Sequence, residues 1–531
     1  MKKRYLTAFY LVLAIVMGIS VSASACTQVY VGSEASADGS IILARSNDYQ
    51  RIWPNYIEVV ERIENQPGRE LPIDEQGNVS VPVKDTTFKY QTTPWMDYTV
   101  ASNGMTRDGT CGTNEKGVIM TMAVTAFSSE TALAADPLVE GGLSEQAACD
   151  IVLSQAATAR EGIEILADII DSCGNGQVNI ALIADRTEAW YMEMYTGHQY
   201  AAVKLPQDSV AVFGNEFTME FLSDYEDAIT STGLELIPED FGFAVTDDEK
   251  GLNLYETYSG SGMVRRYSRL RTWIGHSILS PSQYGEYDES VLYPLVFVPD
   301  DKVSLQDAME IMRNRYEGTE YSPDETGRTD MRVIGTDTAM SVHVLQVYPS
   351  LPEDISAVLW ECTGPAVYGV FVPVSNASYS VAESYGRNQS GDEKDSYNFP
   401  ADVYPWYAIK EINTIGMQNP TAYGKPAREV FGQIESEMYC GMKAALEDAV
   451  EIYEESPEKA KELLTGYCVR VQSQAFEDEL SILNKLRWYE SFCSNTLKLA
   501  KNPETGEYSG ELKVYAPVEL TVNLDNYKYL H

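Results

Sequence analysis

The chain has 531 residues, long enough for roughly three domains and for a large hydrophobic core. Its 79 acidic and 39 basic residues give a formal net charge of −40, which repels nucleic-acid phosphates and anionic membrane surfaces. At 44% hydrophobic residues the composition is that of a folded protein. Because of the negative charge, no nucleic-acid partner is expected.

The first predicted element is a secretion signal. A basic start at residues 2–4 precedes an apolar run from about residue 6 to residue 21, and residues 23–25 (Ala-Ser-Ala) match the small-x-small pattern that signal peptidase cuts. Residues 1–25 are therefore predicted to be removed, which makes Cys26 the mature N-terminus. The expected location is extracellular or at the cell surface.

An N-terminal Cys26 would carry a nucleophilic thiol and a free α-amine on one residue. Such an amine titrates at about 7.7–8.0, so a general base would lie beside its nucleophile. Two other interpretations stay open at this point. Bacterial lipoproteins also begin with a cysteine, which is consumed by a lipid, although their signals usually carry Leu, Val or Ile where this chain has Ala23. The cysteine could also take no part in function.

The mature N-terminus is predicted to lie in a β-hairpin. Thr27–Val31 alternates and is rich in β-forming residues, Ala37–Ser40 has turn chemistry, and Ser40–Arg45 follows as the returning strand. This hairpin would fix Cys26 in a sheet. The next expected features are a polar excursion at 66–96, a turn at 114–117 and a strand at 118–124.

Two helices are predicted next. One begins near Ser144 and runs through Val152, and the other begins with a capping box from Thr158 to Glu161 and ends at Gly174. The order strands, helices, strands favours an α+β protein with layered sheets and helices. The remaining expectations are strands at 178–184, 189–194, 200–203 and 210–213, an amphipathic helix over 428–450, one or two helices within 456–500, and strand-like alternation at 508–528.

The cysteines and histidines show no spacing typical of a metal site. No Cys-x-x-Cys pair occurs, and the four histidines lack helical ligand spacing, so neither a metal nor a cofactor is expected. Most cysteines other than Cys26 are expected to be buried as small apolar residues. They are Cys111, Cys149, Cys173, Cys362, Cys440, Cys468 and Cys493.

Nineteen residues after Cys26, the returning strand carries Arg45-Ser46-Asn47-Asp48. In a hairpin, the end of this strand lies beside Cys26, so Arg45 can stabilise the thiolate and Asp48 can orient the α-amine. An Arg-x-x-Asp pattern alone is common on protein surfaces. Its distance from an N-terminal cysteine is what makes it informative.

This pattern resembles the N-terminal-nucleophile cysteine hydrolases, a superfamily that includes secreted dipeptidases, penicillin V acylases and bile-salt hydrolases. The turn at 114–117 (Asn-Glu-Lys-Gly) is similar to the superfamily's Asn-Glu-x-Gly hairpin, and the strands that lead to Asn215 resemble its central strands. The resemblance implies that Asn215 and a backbone N–H near Val124 stabilise the oxyanion. Arg45, Asp48 and Cys26 would be the other catalytic residues of this part of the chain.

The same resemblance implies a further catalytic arginine. Residues 266–269 (Arg-Tyr-Ser-Arg) look like the superfamily's Arg-aromatic-x-Arg segment, and Arg266 is the matching position. Three other arginines compete for this role, namely Arg265, Arg269 and Arg271.

The later chain resembles the dipeptidase branch specifically. The segments concerned are 316–319, 332–338, Trp360 and 370–374. Acylases and bile-salt hydrolases are shorter and have no comparable helical C-terminal third. The resemblance implies a four-layer αββα hydrolase core over 26–400 with a mostly helical extension packed on it over 401–531.

The function that this resemblance implies is that of a secreted cysteine-type dipeptidase acting on small peptides, without metal or cofactor. One alternative is an acylase-type amide hydrolase acting on penicillin V or bile-salt amides. The other is a surface binding protein lipidated at Cys26, which would then associate with the membrane. Dipeptide specificity, disulfide pairing and oligomeric state stay open, a homo-oligomer included.

Overall fold

The computed structural model describes residues 26–48, 54–74, 76–94, 109–124, 126–260, 262–328, 330–386, 402, 404–493, 500–501, 508–509 and 517–529. The predicted signal at 1–25 lies outside these residues. The protein has a mixed α/β architecture, which agrees with the predicted mixture of sheets and helices. None of the described helices is long and apolar enough to cross a membrane.

The described strands and helices are named here in chain order. The strands are β1 (Thr27–Val31), β2 (Ile41–Asp48), β3 (Glu58–Val60), β4 (Ile63–Glu64), β5 (Glu70–Pro72), β6 (Ser80–Pro82), β7 (Thr86–Thr87), β8 (Tyr90–Pro94), β9 (Gly109–Asn114), β10 (Ile119–Val124), β11 (Asn179–Ala184), β12 (Ala189–Met194), β13 (Tyr200–Lys204), β14 (Val210–Phe213), β15 (Ala228–Thr230), β16 (Thr246–Asp247), β17 (Gly251–Leu252), β18 (Ala339–Val347), β19 (Ala357–Cys362), β20 (Val372–Ser375), β21 (Ala500–Lys501) and β22 (Tyr508–Ser509). The helices are α1 (Glu130–Ala135), α2 (Glu145–Gln155), α3 (Ala159–Cys173), α4 (Leu236–Phe241), α5 (Leu254–Tyr258), α6 (Gly262–Leu279), α7 (Leu305–Arg313), α8 (Pro323–Thr326), α9 (Pro405–Gln418), α10 (Lys425–Tyr453) and α11 (Pro457–Trp488).

Two large antiparallel sheets organise the described residues. One has six strands in the order β14-β1-β2-β18-β19-β20, and the other has eight in the order β15-β13-β12-β11-β10-β9-β8-β3. The predicted hairpin is confirmed, since Thr27 pairs with Ser46 and Val31 pairs with Ile42 in the middle of the six-stranded sheet. Strand β2 contacts β10 and β11 of the other sheet, and β18 contacts β9 and β10.

Helices pack on both sheets. Helices α2 and α3 contact β9 to β12, whereas α6 contacts β14, α7 contacts β2 and β18, and α11 contacts β20. The two buried apolar clusters follow this arrangement. The smaller one joins α2 and α3 to the eight-stranded sheet, and the larger one spans the remaining core and continues into α9, α10 and α11.

Helix α3 shows how local sequence sets an element. Thr158 accepts a hydrogen bond from the N–H of Glu161, and Gly174 ends the helix at a φ of 80°, as predicted. The predicted capping box is shifted, however. The Glu161 carboxylate accepts from the N–H of Ala157, one residue before the N-cap. The helix start is therefore stabilised by two bonds, although only the first is the expected one.

The least accurate expectations concern the excursion and the C-terminal tail. Within 66–96, β8 joins the eight-stranded sheet instead of leaving the fold. Of the one or two helices expected within 456–500, the structure has one long helix, α11 (Pro457–Trp488). The described part of 508–528 contains only β22 and a 3₁₀ turn at Leu524–Tyr527. Val518 and Leu520 are buried, but neither belongs to a strand. Their alternation reflects one-sided packing and not a sheet.

The cysteines behave as expected. No disulfide is formed among the seven cysteines whose side chains the structure describes. Apart from Cys26, those that are buried are Cys111, Cys149, Cys362 and Cys468, while Cys173 is partly exposed and Cys440 is exposed.

Candidate functional site

Cys26 directly precedes β1, the strand between β14 and β2 in the six-stranded sheet. The residue is 1% exposed. The next residue, Thr27, is held in place because its N–H donates to the Ser46 hydroxyl at 3.1 Å. The mature N-terminus that the sequence predicts would therefore lie at the end of a central strand, with little freedom to move.

Arg45 lies beside Cys26, as the hairpin predicts. Its Nη2 donates to Cys26 Sγ at 3.2 Å and to Glu145 Oε1 at 2.6 Å, and its Nη1 donates to the Met122 carbonyl of the opposite sheet. Burial by itself would lower the pKa of this guanidinium, but the Cys26 sulfur and Glu145 raise it above its ordinary value. The cation is therefore retained beside the thiol, where it favours the thiolate.

Glu145 is a site residue that sequence reasoning missed. It is the first residue of α2, and its side chain is 7% exposed. Its carboxylate balances the charge of Arg45 and limits the directions in which that guanidinium can point. An acidic residue in the first turn is common in helices, so its position along the chain gave no sign of this role.

Asn215 follows the end of β14, two residues after Phe213. It is 3% exposed, and its Oδ1 accepts from Arg271 Nη2 at 2.5 Å. Among the described residues its Nδ2 has no hydrogen-bond partner, although it is buried. A buried donor without a partner is costly unless a ligand satisfies it. This side-chain amide is therefore oriented by Arg271 and has its N–H group available to an oxyanion.

Arg271 connects the two parts of the site. Its Nη1 donates to the Cys26 carbonyl at 2.6 Å and to Thr27 Oγ1 at 3.0 Å. Burial is the main reason why the pKa of this arginine falls, to about 10, so it still carries its charge at neutral pH. Gly214 allows this contact, because a Cβ at that position would lie 3.1 Å from Arg271 Nη2 and 3.0 Å from Ser268 Cα. A larger residue there would separate α6 from β14.

The structure corrects the expected role of Arg266. It lies five positions before Arg271 on α6, so at about 100° per residue the two side chains point about 140° apart. Arg266 is 45% exposed and lies 4.0 Å from Glu289. Arg269, another competing position, pairs with Glu216. Among the competing arginines whose side chains the structure describes, Arg271 is the one that contacts Cys26, and it replaces Arg266 as the candidate. The side chain of Arg265 lies outside the described residues.

We expect the two arginines to respond very differently to substitution. Arg271→Met removes the donors to Asn215 and to the Cys26 carbonyl, so kcat/KM should fall by at least ~100-fold, as for loss of an oxyanion-hole group. Arg266→Met on the opposite side of the same helix should change kcat/KM by less than about threefold, since surface changes are usually mild. Steady-state kinetics on both variants, with circular dichroism to check folding, measures this. A larger effect of Arg266→Met than of Arg271→Met would instead make Arg266 the catalytic candidate.

Asp48 ends β2 and is fully buried. Its carboxylate accepts from Arg332 at 3.0 and 2.7 Å and from Thr338 Oγ1 at 2.5 Å. These two partners come from the segment 332–338. Its sequence resembles dipeptidases, but that resemblance assigned no role to its residues. The pairing of Asp48 with Ala339 brings this segment to the site. That Asp48 orients the α-amine stays a prediction.

A buried carboxylate supports the loop that carries Asn215. Glu193 Oε1 accepts from the N–H groups of Thr218 and Met219 at 2.7 and 3.2 Å, and Tyr191 and Tyr195 donate their hydroxyls to the same carboxylate. Burial raises the pKa of Glu193 to about 7. Sequence reasoning missed this residue, since a glutamate within a strand gives no sign of which loop it contacts.

The second oxyanion donor predicted near Val124 is not tested. Val124 ends β10, where it pairs with Asn179, and Thr125 lies outside the described residues. The contribution of this backbone N–H stays a prediction.

The chain is similar to a peptidase family and to several probable dipeptidases. A family model described as "Peptidase family C69" matches residues 25–421. A "Probable dipeptidase" of Latilactobacillus sakei is 28% identical over 370 residues, which are 68% of this chain and 76% of that protein. A "Probable dipeptidase B" of Streptococcus pyogenes serotype M1 is 26% identical over 456 residues, which are 82% of this chain and 88% of that protein. A "Probable dipeptidase B" of Lactococcus lactis is 29% identical, covering 71% of this chain and 79% of that protein.

Among solved structures, a mutant conjugated bile acid hydrolase from Clostridium perfringens is similar with a TM-score of 0.32 and 11% sequence identity. The match covers 64% of this chain and 89% of that one.

Proposed function

The chain belongs to peptidase family C69 and is a cysteine-type peptidase, and we propose that it hydrolyses the peptide bond of dipeptides. The match confirms the resemblance that the motifs around Cys26 indicated. The substrate class is supported by the relatives named probable dipeptidase, which align with 68% to 82% of this chain. One observation carries the proposal: Arg45 and Arg271 hold Cys26 beside Asn215, whose buried N–H group has no partner among the described residues.

We propose that Cys26 Sγ attacks the scissile carbonyl carbon of the dipeptide. The α-amine of Cys26 would accept the thiol proton and pass it to the leaving amino group, as an N-terminal nucleophile allows. Arg45 would stabilise the thiolate before the attack, since its Nη2 lies 3.2 Å from the sulfur. Water would then attack the acyl-enzyme, which releases the N-terminal amino acid of the dipeptide and regenerates the Cys26 thiol.

The developing oxyanion would be stabilised by Asn215. Its Nδ2 is held in place because Arg271 binds the other end of the same amide. A donor that is oriented before the reaction costs no reorganisation in the transition state, and one such group is typically worth about 2.7–4 kcal/mol. The backbone N–H near Val124 is proposed as the second donor.

We propose a four-layer αββα core over 26–400 with the helices of 401–531 packed on it. The contacts of β2 with both α7 and β10, and those of α2 with β9 and β10, support such layering. The contacts of α11 with β20 support a packed C-terminal extension in place of a separate unit.

We further propose that the protein is exported, with residues 1–25 as a cleaved signal. The pattern at 23–25 supports this cut, and the family match begins at residue 25. Only after cleavage would Cys26 have a free α-amine. Export would thereby activate the enzyme.

The substrate proposal is tested by assaying mature protein against a set of unmodified dipeptides, penicillin V and glycine-conjugated bile salts. The proposal predicts a kcat/KM for the best dipeptide at least ~100-fold above that for either amide, with all turnover lost in Cys26→Ala. A preference for penicillin V or a bile salt would favour the acylase alternative. Absence of turnover on every substrate, with Cys26 lipidated, would favour a binding protein.

A further inference from the structure

Three chemically different ligand groups meet between the two large sheets. Cys111 lies on β9, His343 on β18 and Glu361 on β19, and all three are fully buried. Their sulfur, nitrogen and oxygen atoms lie within 4.8 Å of one another. His343 and Glu361 are direct partners in the β18–β19 register, so both side chains leave the same face of that sheet. Cys111 faces them from the other sheet.

Three of the polar atoms in this cluster lack a well-formed hydrogen bond to any described residue. Both carboxylate oxygens of Glu361 and the Nδ1 of His343 are buried without a well-formed hydrogen bond among the described residues, and the Ser341 hydroxyl beside Glu361 is likewise left without one. The other histidine nitrogen, Nε2, lies 2.9 Å from Thr121 Oγ1, and Cys111 Sγ lies 3.0 Å from Thr93 Oγ1. Buried polar atoms without partners are rare in native proteins and indicate an unseen ion or water.

We propose that Cys111, His343 and Glu361 bind one divalent cation of the zinc class. Thiolate, imidazole and carboxylate are the ligands that zinc uses, and a thiolate with a carboxylate balances the charge of a dication. Thr121 would fix the histidine ring through Nε2 and leave Nδ1 to the metal. Bond lengths of about 2.0–2.3 Å place tetrahedral ligands roughly 3.3–3.8 Å apart, so the three side chains would draw together on binding. A water would complete the coordination.

The role of this cation would be structural, because the site joins the two sheets and is closed to solvent on the part of the chain described. It lies next to the catalytic residues, because His343 is the register partner of Arg45 and the two side chains leave the same face of the sheet. The Arg45 guanidinium is a cation close to this cluster, and its charge is compensated by Glu145. A closed site would load during folding, so a chelator added to the folded protein should remove little metal.

The test is the metal content of the mature, full-length protein purified without chelator, measured by inductively coupled plasma mass spectrometry. The proposal predicts about one equivalent of zinc per chain. It also predicts a thiolate-to-cobalt absorption band when the protein is unfolded with chelator and refolded with Co²⁺. Refolding without metal should lower the Tm by several degrees. These readouts do not depend on dipeptidase activity, so they can fail while the proposed function holds.

Three variants locate the site. Cys111→Ser and Glu361→Gln should each lower the bound zinc at least ~10-fold. Cys362→Ala, the adjacent buried cysteine on the opposite face of β19, should retain it. Should Cys111→Ser fail to fold, the zinc content of Glu361→Gln and the cobalt spectrum of the unmutated protein still show whether the cluster binds a metal. Metal-free protein with an unchanged Tm after chelation and refolding would overturn the proposal, as would zinc retained in both ligand variants. The cluster would then hold a buried water.

Discussion

Cys26→Ala is expected to abolish dipeptide hydrolysis while the fold is retained. The alanine has no nucleophile, and knocking out the nucleophile of a hydrolase typically costs about 10⁶-fold in kcat, so a loss of at least ~10⁴-fold is expected here. The structure indicates that stability should change little, because Arg45 keeps its bonds to Glu145 and to the Met122 carbonyl. The cavity left by one sulfur is small.

The matched control is Cys468→Ala. Cys468 is buried like Cys26 but lies on α11, and it should retain full activity. Single-turnover assays with both variants, alongside their thermal unfolding curves, separate loss of chemistry from loss of fold. Wild-type turnover in Cys26→Ala would exclude this cysteine as the nucleophile, whatever the relatives do.

A chain that keeps one residue in front of Cys26 is expected to be inactive although its thiol is intact. An added residue locks the α-amine of Cys26 in an amide, which cannot accept a proton at neutral pH. Loss of a positioned general base costs about 10²–10⁴-fold. The added residue would also have to fit at the end of β1, where Cys26 is 1% exposed. Both effects lower kcat.

The experiment places a protease site directly before Cys26 and measures dipeptide hydrolysis before and after cleavage. Activity should rise by at least ~100-fold when the protease exposes Cys26. A chain with the same extension after the C-terminal His531 serves as control and should be active throughout. Equal activity before and after cleavage would show that another group acts as the base.

The sequence predicts well those features that depend on neighbouring residues. The hairpin from Thr27 to Asp48 follows from β-forming residues and one turn, and it brings Arg45 to Cys26 because antiparallel pairing leaves little choice of register. Helix α3 follows in the same way from a capping threonine, an apolar stripe and a terminal glycine. The central chemistry of the site is therefore visible in about twenty consecutive residues.

Features that depend on distant contacts were missed or misplaced. Four arginines lie within residues 265–271, and only the rotation of α6 decides that Arg271 faces the site. Glu145 reaches Arg45 across 100 residues of chain, and Arg332 reaches Asp48 across 284. No local pattern indicates such pairs, because they result from how sheets and helices pack. The same holds for the proposed metal ligands, which come from three strands.

The central claim is that the mature protein begins with a free Cys26, and the intact mass of the exported protein tests it most directly. The account predicts a mass equal to residues 26–531, with Cys26 found as the N-terminal residue and alkylated by iodoacetamide after digestion. A diacylglyceryl adduct on Cys26, or a cut at another position, would contradict the account, because either would remove the nucleophile or its amine.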